Sequence, residues 1–319
     1  MHPWNEPILE SLGARLESLP HALLIHGPKG VGKLALAERA AQLLLCESAD
    51  AKRRPCGTCE GCRWYLGGNH PDFRRVEPEA LAQQPAETEG EEGAAPAKKS
   101  KPSQEIKVEQ VRGLADFLNI GSHRGRRRVA LVHPAEEMNA SAANALLKGL
   151  EEPPAGAMFI LVAHRLARLL PTIRSRCVAV PVPVPAKDVA LKWLGEQRAK
   201  DAERWLAYSG GAPLRALEYA GDPGSAERVA MQSAGRALPE DREQLEALAE
   251  ALQKLALDRA LGAFGLPPKY SISQPPVAAA QAKAWLAFAR RMGPDRALAR
   301  HPLNPRLFAA ELLGRMPSK

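Results

Sequence analysis

The segment HALLIHGPKGVGKLALAERAAQLLLC, residues 21–46, constrains the fold more than any other part of the chain. A short apolar run over 22–26 predicts a buried strand that ends at Gly27. A helix is predicted to begin near Lys33, with apolar residues at helical spacing: Leu36, Ala40, Leu43 and Leu44. A glycine-rich loop between a strand and a helix is the setting of a phosphate-binding loop, because the N–H groups at the helix start attract anions. The segment therefore predicts an α/β fold built around such a loop.

The loop GPKGVGKL, residues 27–34, departs from the nucleotide-binding pattern G-x-x-x-x-G-K-[ST] at its last position. The residues that could approach a phosphate group are Gly27, Gly30, Gly32 and Lys33. The hydroxyl side chain that would ligate magnesium is replaced by Leu34. Weak metal-free binding of a nucleotide at this loop stays open, but leucine supplies no metal ligand.

A second element of a phosphate-loop ATPase is also missing. Such enzymes place an acidic pair at the end of a neighbouring strand, where it supports the metal and polarises water. Here the predicted strand VALV, residues 129–132, is followed by His133 and Pro134. We interpret Glu136 and Glu137 as solvated residues of the next turn. Because both metal supports are missing, we expect no use of ATP and magnesium and no hydrolysis by this chain.

The cysteines indicate a metal site. Three of the five lie in CGTCEGC, residues 56–62, and Cys46 lies at the end of the predicted loop helix. Clustered thiols in a reducing compartment favour a metal over disulfides. Four thiolates close a tetrahedral structural zinc site, and the favoured ligands are Cys46, Cys56, Cys59 and Cys62. His70 is the alternative fourth ligand, and a set of inert reduced thiols is the alternative to a metal.

The rest of the chain predicts an α/β region followed by a helical one. Strands are predicted over 127–133, 158–164 and 177–182, and helices over 107–119 and 141–152, the latter with Ser141 as N-cap. Apolar strands alternating with helices imply a mostly parallel sheet covered on both faces. Prolines at 181, 183 and 185 mark a boundary, beyond which the pattern is helical. The last helix is predicted to start at Asn304-Pro305.

Charge and composition suggest an anionic partner and no membrane. The formal net charge is +8, and the basic run RGRRR, residues 124–128, is either a nucleic-acid contact or solvated surface. Residues 77–104 are rich in Glu, Ala, Pro and Lys and predict a disordered insertion. The sequence shows no apolar run of about 18 residues and no secretory signal, so we expect a cytoplasmic protein.

Five sequence blocks together resemble one protein family. They are HALLIHGPKGVGK, the cluster CGTCEGC with Cys46, HPDF at 70–73, ANALLKGLEEPP at 143–154 and SRC at 175–177. The chain resembles the subunits of the bacterial DNA polymerase III clamp loader, within the AAA+ class, and among them the delta-prime type. The resemblance implies an α/β AAA+ domain over 1–184 with a zinc module at 44–72, a helical lid over 185–225 and an all-α collar over 226–319.

The resemblance also implies a role and partners. It implies a heteropentamer with gamma or tau and delta subunits, which opens the sliding clamp and closes it around primed DNA. The chain would be its non-hydrolysing member, with Arg176 acting in trans on a neighbour's ATP; a plain surface arginine is the alternative. Leu214 stands where active relatives have a nucleotide-sensing arginine, and Arg215 follows one step later. The competing hypotheses are an active motor-type ATPase and a free-standing zinc module that binds nucleic acid through RGRRR.

Overall fold

The computed structural model describes most of the chain: residues 1–82, 102–121, 127–222, 224, 228, 238–270, 277–299 and 303–317. The chain divides into two compact units, Met1–Val184 and Pro185–Lys319. The first unit contains the α/β region and the second is helical in its described residues.

A parallel sheet forms the centre of the first unit. Its strands in the described residues are β1 (Ala22–His26), β2 (Phe73–Val76), β3 (Arg128–Val132), β4 (Ala157–Ala163) and β5 (Val178–Pro181). They lie in the order β2-β3-β4-β1-β5, and every neighbouring pair is parallel. Strands β3 and β4 are buried along their whole length. This explains their continuous apolar sequences, since a parallel sheet is covered by helices on both faces.

The helices of the first unit are α1 (Glu6–Ala14), α2 (Lys33–Leu45), α3 (Glu60–Leu66), α4 (Val108–Asn119), α5 (Ala140–Glu151) and α6 (Pro171–Arg174). Val111, Leu114 and Leu118 of α4 are buried on one face and join a core that includes Phe159 of β4. Helix α5 lies close to the same strand: a Cβ added at Gly149 would lie 3.1 Å from the Phe159 ring. A side chain at this position would force the Phe159 ring to shift, so glycine favours the close approach of helix and sheet.

The structure confirms the predicted strands and helices of this unit and corrects two details. The helix after β3 is capped by Asn139, whose side-chain oxygen accepts the N–H of Ala142 at 2.8 Å, and not by Ser141. Strand β2 was not predicted. Its sequence FRRV contains two exposed arginines because β2 lies at the sheet edge, so the apolar run that identifies a buried strand is missing.

The second unit contains the helices α7 (Lys187–Glu196), α8 (Ala202–Tyr208), α9 (Pro213–Gly221), α10 (Arg242–Ala263), α11 (Ala282–Leu298) and α12 (Pro305–Gly314). Residues of α7, α8 and α9 form one apolar cluster around Leu194 and Trp205. A second cluster surrounds the fully buried Trp285 and includes the leucines at 245, 248, 252 and 255, which follow one another at helical spacing. Asn304 caps α12 as predicted, by accepting the N–H groups of Arg306 and Leu307. A lid–collar boundary near 225 stays a prediction, because the chain around it lies largely outside the described residues.

The described ends of the predicted insertion are joined by hydrogen bonds. The Ala80 N–H donates to the Ser103 carbonyl at 3.0 Å, and Glu79 pairs with the Lys107 ammonium at 2.7 Å. The chain therefore leaves and re-enters this unit at one place. The central part of the predicted segment, residues 83–101, lies outside the described residues.

Candidate functional site

The phosphate loop joins β1 to α2 and has the backbone that its glycines allow. Gly27, Gly30 and Gly32 all have positive φ, at 153°, 88° and 82°. Lys33 is buried, and its ammonium donates to the Pro28 carbonyl of the loop at 2.5 Å. Burial lowers the pKa of Lys33 to about 8. Leu34 follows half-buried at the start of α2 and presents no oxygen.

The N-terminal segment packs onto this loop. The Trp4 indole N–H donates to the Val31 carbonyl at 3.0 Å, and the Asn5 amide donates to the same carbonyl at 3.0 Å and to Gly32 at 3.3 Å. Asn5 is fully buried. A Cβ added at Gly32 would lie 2.3 Å from the His2 ring, so the loop is held by protein contacts. The sequence MHPWN has no pattern that predicts this contact.

Two histidines and a glutamate lie at the carboxyl ends of β3 and β4. His133 and His164 stack edge to face at 5.2 Å, and burial lowers their pKa values to about 4 and about 3. Glu136 is buried, and its Oε1 accepts the N–H groups of His164 and Arg165 at 2.9 and 3.0 Å. Burial raises the pKa of Glu136. The interpretation of Glu136 as a solvated residue is therefore wrong: two backbone groups beyond β4 hold it in place.

Glu137 differs from its neighbour. It forms an ion pair with Arg168 at 3.3 Å, and its side chain is 22% exposed. At the end of β3 the acidic pair of an ATPase is thus replaced by His133 and Pro134, as the sequence predicts. Of the two glutamates that follow, Glu136 accepts backbone N–H groups and Glu137 pairs with Arg168.

Arg215, the residue after Leu214, binds side chains of the second unit. Arg215 of α9 pairs with Glu250 of α10 at 2.8 Å and donates to the Tyr219 hydroxyl at 3.0 Å. Lys254 and Arg296 also pair with Glu250, at 2.7 and 3.0 Å. Arg215 is therefore part of an ion network inside the second unit.

The four predicted cysteines meet in space. Their sulfur atoms, on Cys46, Cys56, Cys59 and Cys62, all lie within 4.8 Å of one another. Three of the distances are 3.6, 3.9 and 4.0 Å. A tetrahedron with metal–sulfur bonds of about 2.3 Å has edges of about 3.8 Å, so the group has the size that a four-coordinate metal requires. These residues could hold a metal ion.

Backbone N–H groups point at this cluster. The N–H groups of Cys56, Cys59 and Cys62 each lie 3.3–3.4 Å from a cysteine sulfur. The N–H groups of Cys59 and Thr58 lower the pKa of the Cys56 thiol to about 5, whereas burial raises the pKa of Cys62 to about 12. A buried thiolate needs a compensating cation, and a bound metal supplies one. His70 stands apart from the group: its Nδ1 accepts the N–H of Asp72 at 3.0 Å.

Arg176 lies just after α6 and before the edge strand β5. Its side chain is 34% exposed. One guanidinium nitrogen, Nη1, donates to the Thr172 carbonyl at 2.9 Å, and Nη2 pairs with Glu151 at 2.5 Å. Arg176 is thus an accessible arginine with a defined orientation at one edge of the sheet.

The basic run at 124–128 is only partly a surface feature. Residues 124–126 lie outside the described part of the chain. Arg128 is buried and pairs with Asp72 at 3.3 Å, with side chains 3% and 1% exposed. Arg127 donates to the Leu16 carbonyl at 3.0 Å. Arg128 is therefore not solvated surface, whereas Arg127 is half-buried and the two interpretations of it stay open.

Among the described residues, no helix is long and apolar enough to cross a membrane.

The sheet order β2-β3-β4-β1-β5, with a phosphate loop after β1 and a helical second unit, defines an AAA+ protein. A solved structure of a DNA polymerase III gamma subunit-related protein from Thermotoga maritima has the same fold. Its TM-score is 0.51 at 19% identity, and the match covers 96% of this chain and 97% of that chain.

Sequence comparison shows the family. The family described as "DNA polymerase III, delta subunit" matches residues 7–185. The DNA polymerase III subunit delta-prime of Pseudomonas aeruginosa is 37% identical over 261 residues, which are 81% of this chain and 73% of that protein. The delta-prime subunit of Escherichia coli is 32% identical over 244 residues, or 75% of this chain and 66% of that protein. The chain belongs to the DNA polymerase III delta-prime family.

Proposed function

We propose that this chain is a non-hydrolysing subunit of the replicative clamp loader. Together with gamma or tau subunits and a delta subunit, it helps to load the sliding clamp onto primed DNA in the cytoplasm, and it supplies Arg176 to the ATP site of a neighbouring subunit. The observation that carries the proposal is the position of Arg176, partly accessible beside the edge strand β5 and oriented by two contacts. A guanidinium so placed can stabilise charge on a phosphoryl group in another subunit.

The state of the chain's own phosphate loop supports a role without hydrolysis. Leu34 supplies no metal ligand, and β3 is followed by His133 and Pro134 in place of a carboxylate. The nearest glutamate, Glu136, already accepts two backbone N–H groups. Phosphoryl transfer depends on metal charge and positioning, so a site that lacks these supports should not turn over.

The proposal includes a structural zinc ion held by the four clustered cysteines. Three of their sulfur distances are close to the edge of a tetrahedron around zinc, and four cysteine sulfurs would take all four coordination positions. A closed site leaves no position for substrate. The metal would stabilise the segment between α2 and α3, which contains little apolar surface of its own.

The test is a clamp loader reconstituted from its purified subunits with wild-type chain or with Arg176→Ala. Arginine fingers of other phosphate-loop enzymes raise the rate about 10³- to 10⁵-fold, so the site that receives Arg176 should become nearly inactive. ATPase stimulated by clamp and primed DNA should fall sharply, while assembly measured by gel filtration stays intact. Arg174→Ala, two residues away on the same segment, is the matched control. Wild-type turnover and loading by the Arg176→Ala complex would remove the finger.

The isolated chain distinguishes the competing hypotheses. Steady ATP hydrolysis by the purified chain alone would favour a motor-type ATPase. Tight binding of the chain alone to DNA, weakening steeply with salt, would favour a free-standing nucleic-acid module. We expect no hydrolysis and only weak DNA binding.

A further inference from the structure

The contact between Arg176 and Glu151 joins two elements that sequence separates by 25 positions. Nη2 of Arg176 lies 2.5 Å from Oε1 of Glu151, the last residue of α5. Nη1 donates to the Thr172 carbonyl at 2.9 Å and lies 3.4 Å from the Ser175 hydroxyl. In the described part of the chain, no hydrogen bond uses Nε. Two sides of the guanidinium are therefore occupied by the protein's own groups.

The carboxylate stands on a rigid support. Gly149 brings α5 against the Phe159 ring, and Leu150 is buried. The Leu150 carbonyl, one of the last of the helix, lies 3.0 Å from Nε2 of His21, the residue before β1. The backbone just before Glu151 is thus fixed to two strands of the sheet. A carboxylate on such a support can hold a flexible arginine side chain in one orientation.

The arginine backbone is fixed as well. Ile173 of α6 is fully buried, and the Arg176 N–H donates to the Ile173 carbonyl at 3.1 Å. The side chain nevertheless has four rotatable bonds, and its head is accessible to solvent. Fixing the backbone alone does not orient the guanidinium, because the rotamers of an exposed arginine cost little to exchange.

We propose that Glu151 is a positioning residue for Arg176. This inference rests on the proposed function of Arg176. Glu151 holds Nη2 while Thr172 holds Nη1, so the plane of the guanidinium is set before a neighbour's terminal phosphate arrives. The remaining N–H groups are then presented to the phosphate oxygens, as planar recognition of phosphate requires. Orientation ahead of the reaction raises the rate without adding a contact to the ground-state nucleotide.

The chain provides a matched control next to Glu151. Glu152 is also an exposed carboxylate at the C-terminus of α5, and it forms no ion pair within the described residues. Glu151→Gln and Glu152→Gln make the same chemical change one residue apart. Both sites are on the surface, so both variants should fold, and thermal unfolding of the purified chains checks this.

The experiment uses the reconstituted clamp loader with clamp and primed DNA. The turnover that depends on Arg176 is the difference between the wild-type and Arg176→Ala complexes. Glu151→Gln should lower this turnover roughly three- to tenfold with KM for ATP unchanged, since an exposed pair orients without contributing much binding energy. Glu152→Gln should leave it unchanged. In the Arg176→Ala background, Glu151→Gln should have no further effect, because a residue that acts through Arg176 has nothing left to orient.

The outcomes separate the two proposals. If Arg176→Ala lowers turnover but Glu151→Gln matches wild type, the positioning role is wrong and the finger stands. If Glu151→Gln lowers turnover equally in the Arg176→Ala background, or if Glu152→Gln has the same effect, Glu151 acts by another route and the inference falls. If Arg176→Ala itself has wild-type turnover, the finger and the positioning role both fall.

Discussion

The ion network around Glu250 stabilises the second unit by an amount that can be calculated from the pKa of this carboxyl. Glu250 pairs with Arg215, Lys254 and Arg296, and its side chain is 16% exposed. Burial by itself raises the pKa of this carboxyl, but the charges of Lys254 and Arg215 outweigh burial and lower the pKa from 4.5 to about 2. A shift of one pKa unit between the unfolded and the folded state corresponds to about 1.4 kcal/mol. Ionised Glu250 therefore stabilises the fold by about 3 kcal/mol.

Replacing this carboxylate should therefore weaken the second unit. At pH 7 we expect Glu250→Gln to lower the free energy of unfolding by about 3 kcal/mol, because it also leaves buried cations without their anion. Urea unfolding followed by tryptophan fluorescence measures the change, since Trp193, Trp205 and Trp285 report on this unit. The control is Glu196→Gln, an exposed carboxylate of α7 that should change stability by less than about 0.5 kcal/mol.

The pH dependence has a definite direction. The pKa of Glu250 is depressed in the folded state, so its stabilisation is complete above pH 4.5 and is lost as the pH falls through 2. The difference between wild type and Glu250→Gln should shrink to about 1 kcal/mol at pH 3. A difference that stays constant from pH 7 to pH 3, or a variant as stable as wild type at pH 7, would refute the reasoning.

Three further predictions concern the first unit. Asp72→Asn leaves a buried guanidinium unpaired and should cost about 3–5 kcal/mol, which calorimetry would detect as a fall in Tm of about 10 °C. Asn139→Ala removes a helix cap and should cost about 1 kcal/mol in urea unfolding, whereas Ser141→Ala, the residue that sequence alone favoured, should change stability little. Purified chain should contain one zinc ion by elemental analysis, and Cys59→Ser should lose it; full zinc and full stability in that variant would contradict the site.

The features that sequence predicted correctly are local ones. The β1–α2 unit was predictable because an apolar run, a glycine loop and a helical pattern follow one another without a gap. The cysteine cluster was predictable for the same reason, since three of its four cysteines lie within seven residues. Local spacing restricts the backbone so strongly that few structures satisfy it.

The features that sequence missed depend on distant partners. Glu136 looked solvated because its hydrogen-bond donors come from a strand end 28 and 29 positions away. Arg128 stands in a basic run at the start of β3. Its partner Asp72 directly precedes β2, the strand that pairs with β3. The ion pair of Arg176 with Glu151 likewise needs two elements brought together by the sheet. Side-chain type alone cannot reveal such pairs, because burial decides their energy and burial is set by the fold.

The phosphate loop combines both kinds of feature. Its glycines match a nucleotide pattern, but in this fold their backbone also serves the protein itself: Trp4 and Asn5 donate to Val31 and Gly32, and no Cβ fits at Gly32 beside His2. These contacts require the loop's shape whether or not a nucleotide binds. A chain that has lost the metal-binding hydroxyl at Leu34 can therefore keep the glycines for packing. The presence of these glycines is therefore compatible with the proposal that the loop does not hydrolyse ATP and that Arg176, which precedes the edge strand β5, acts in a neighbour's site.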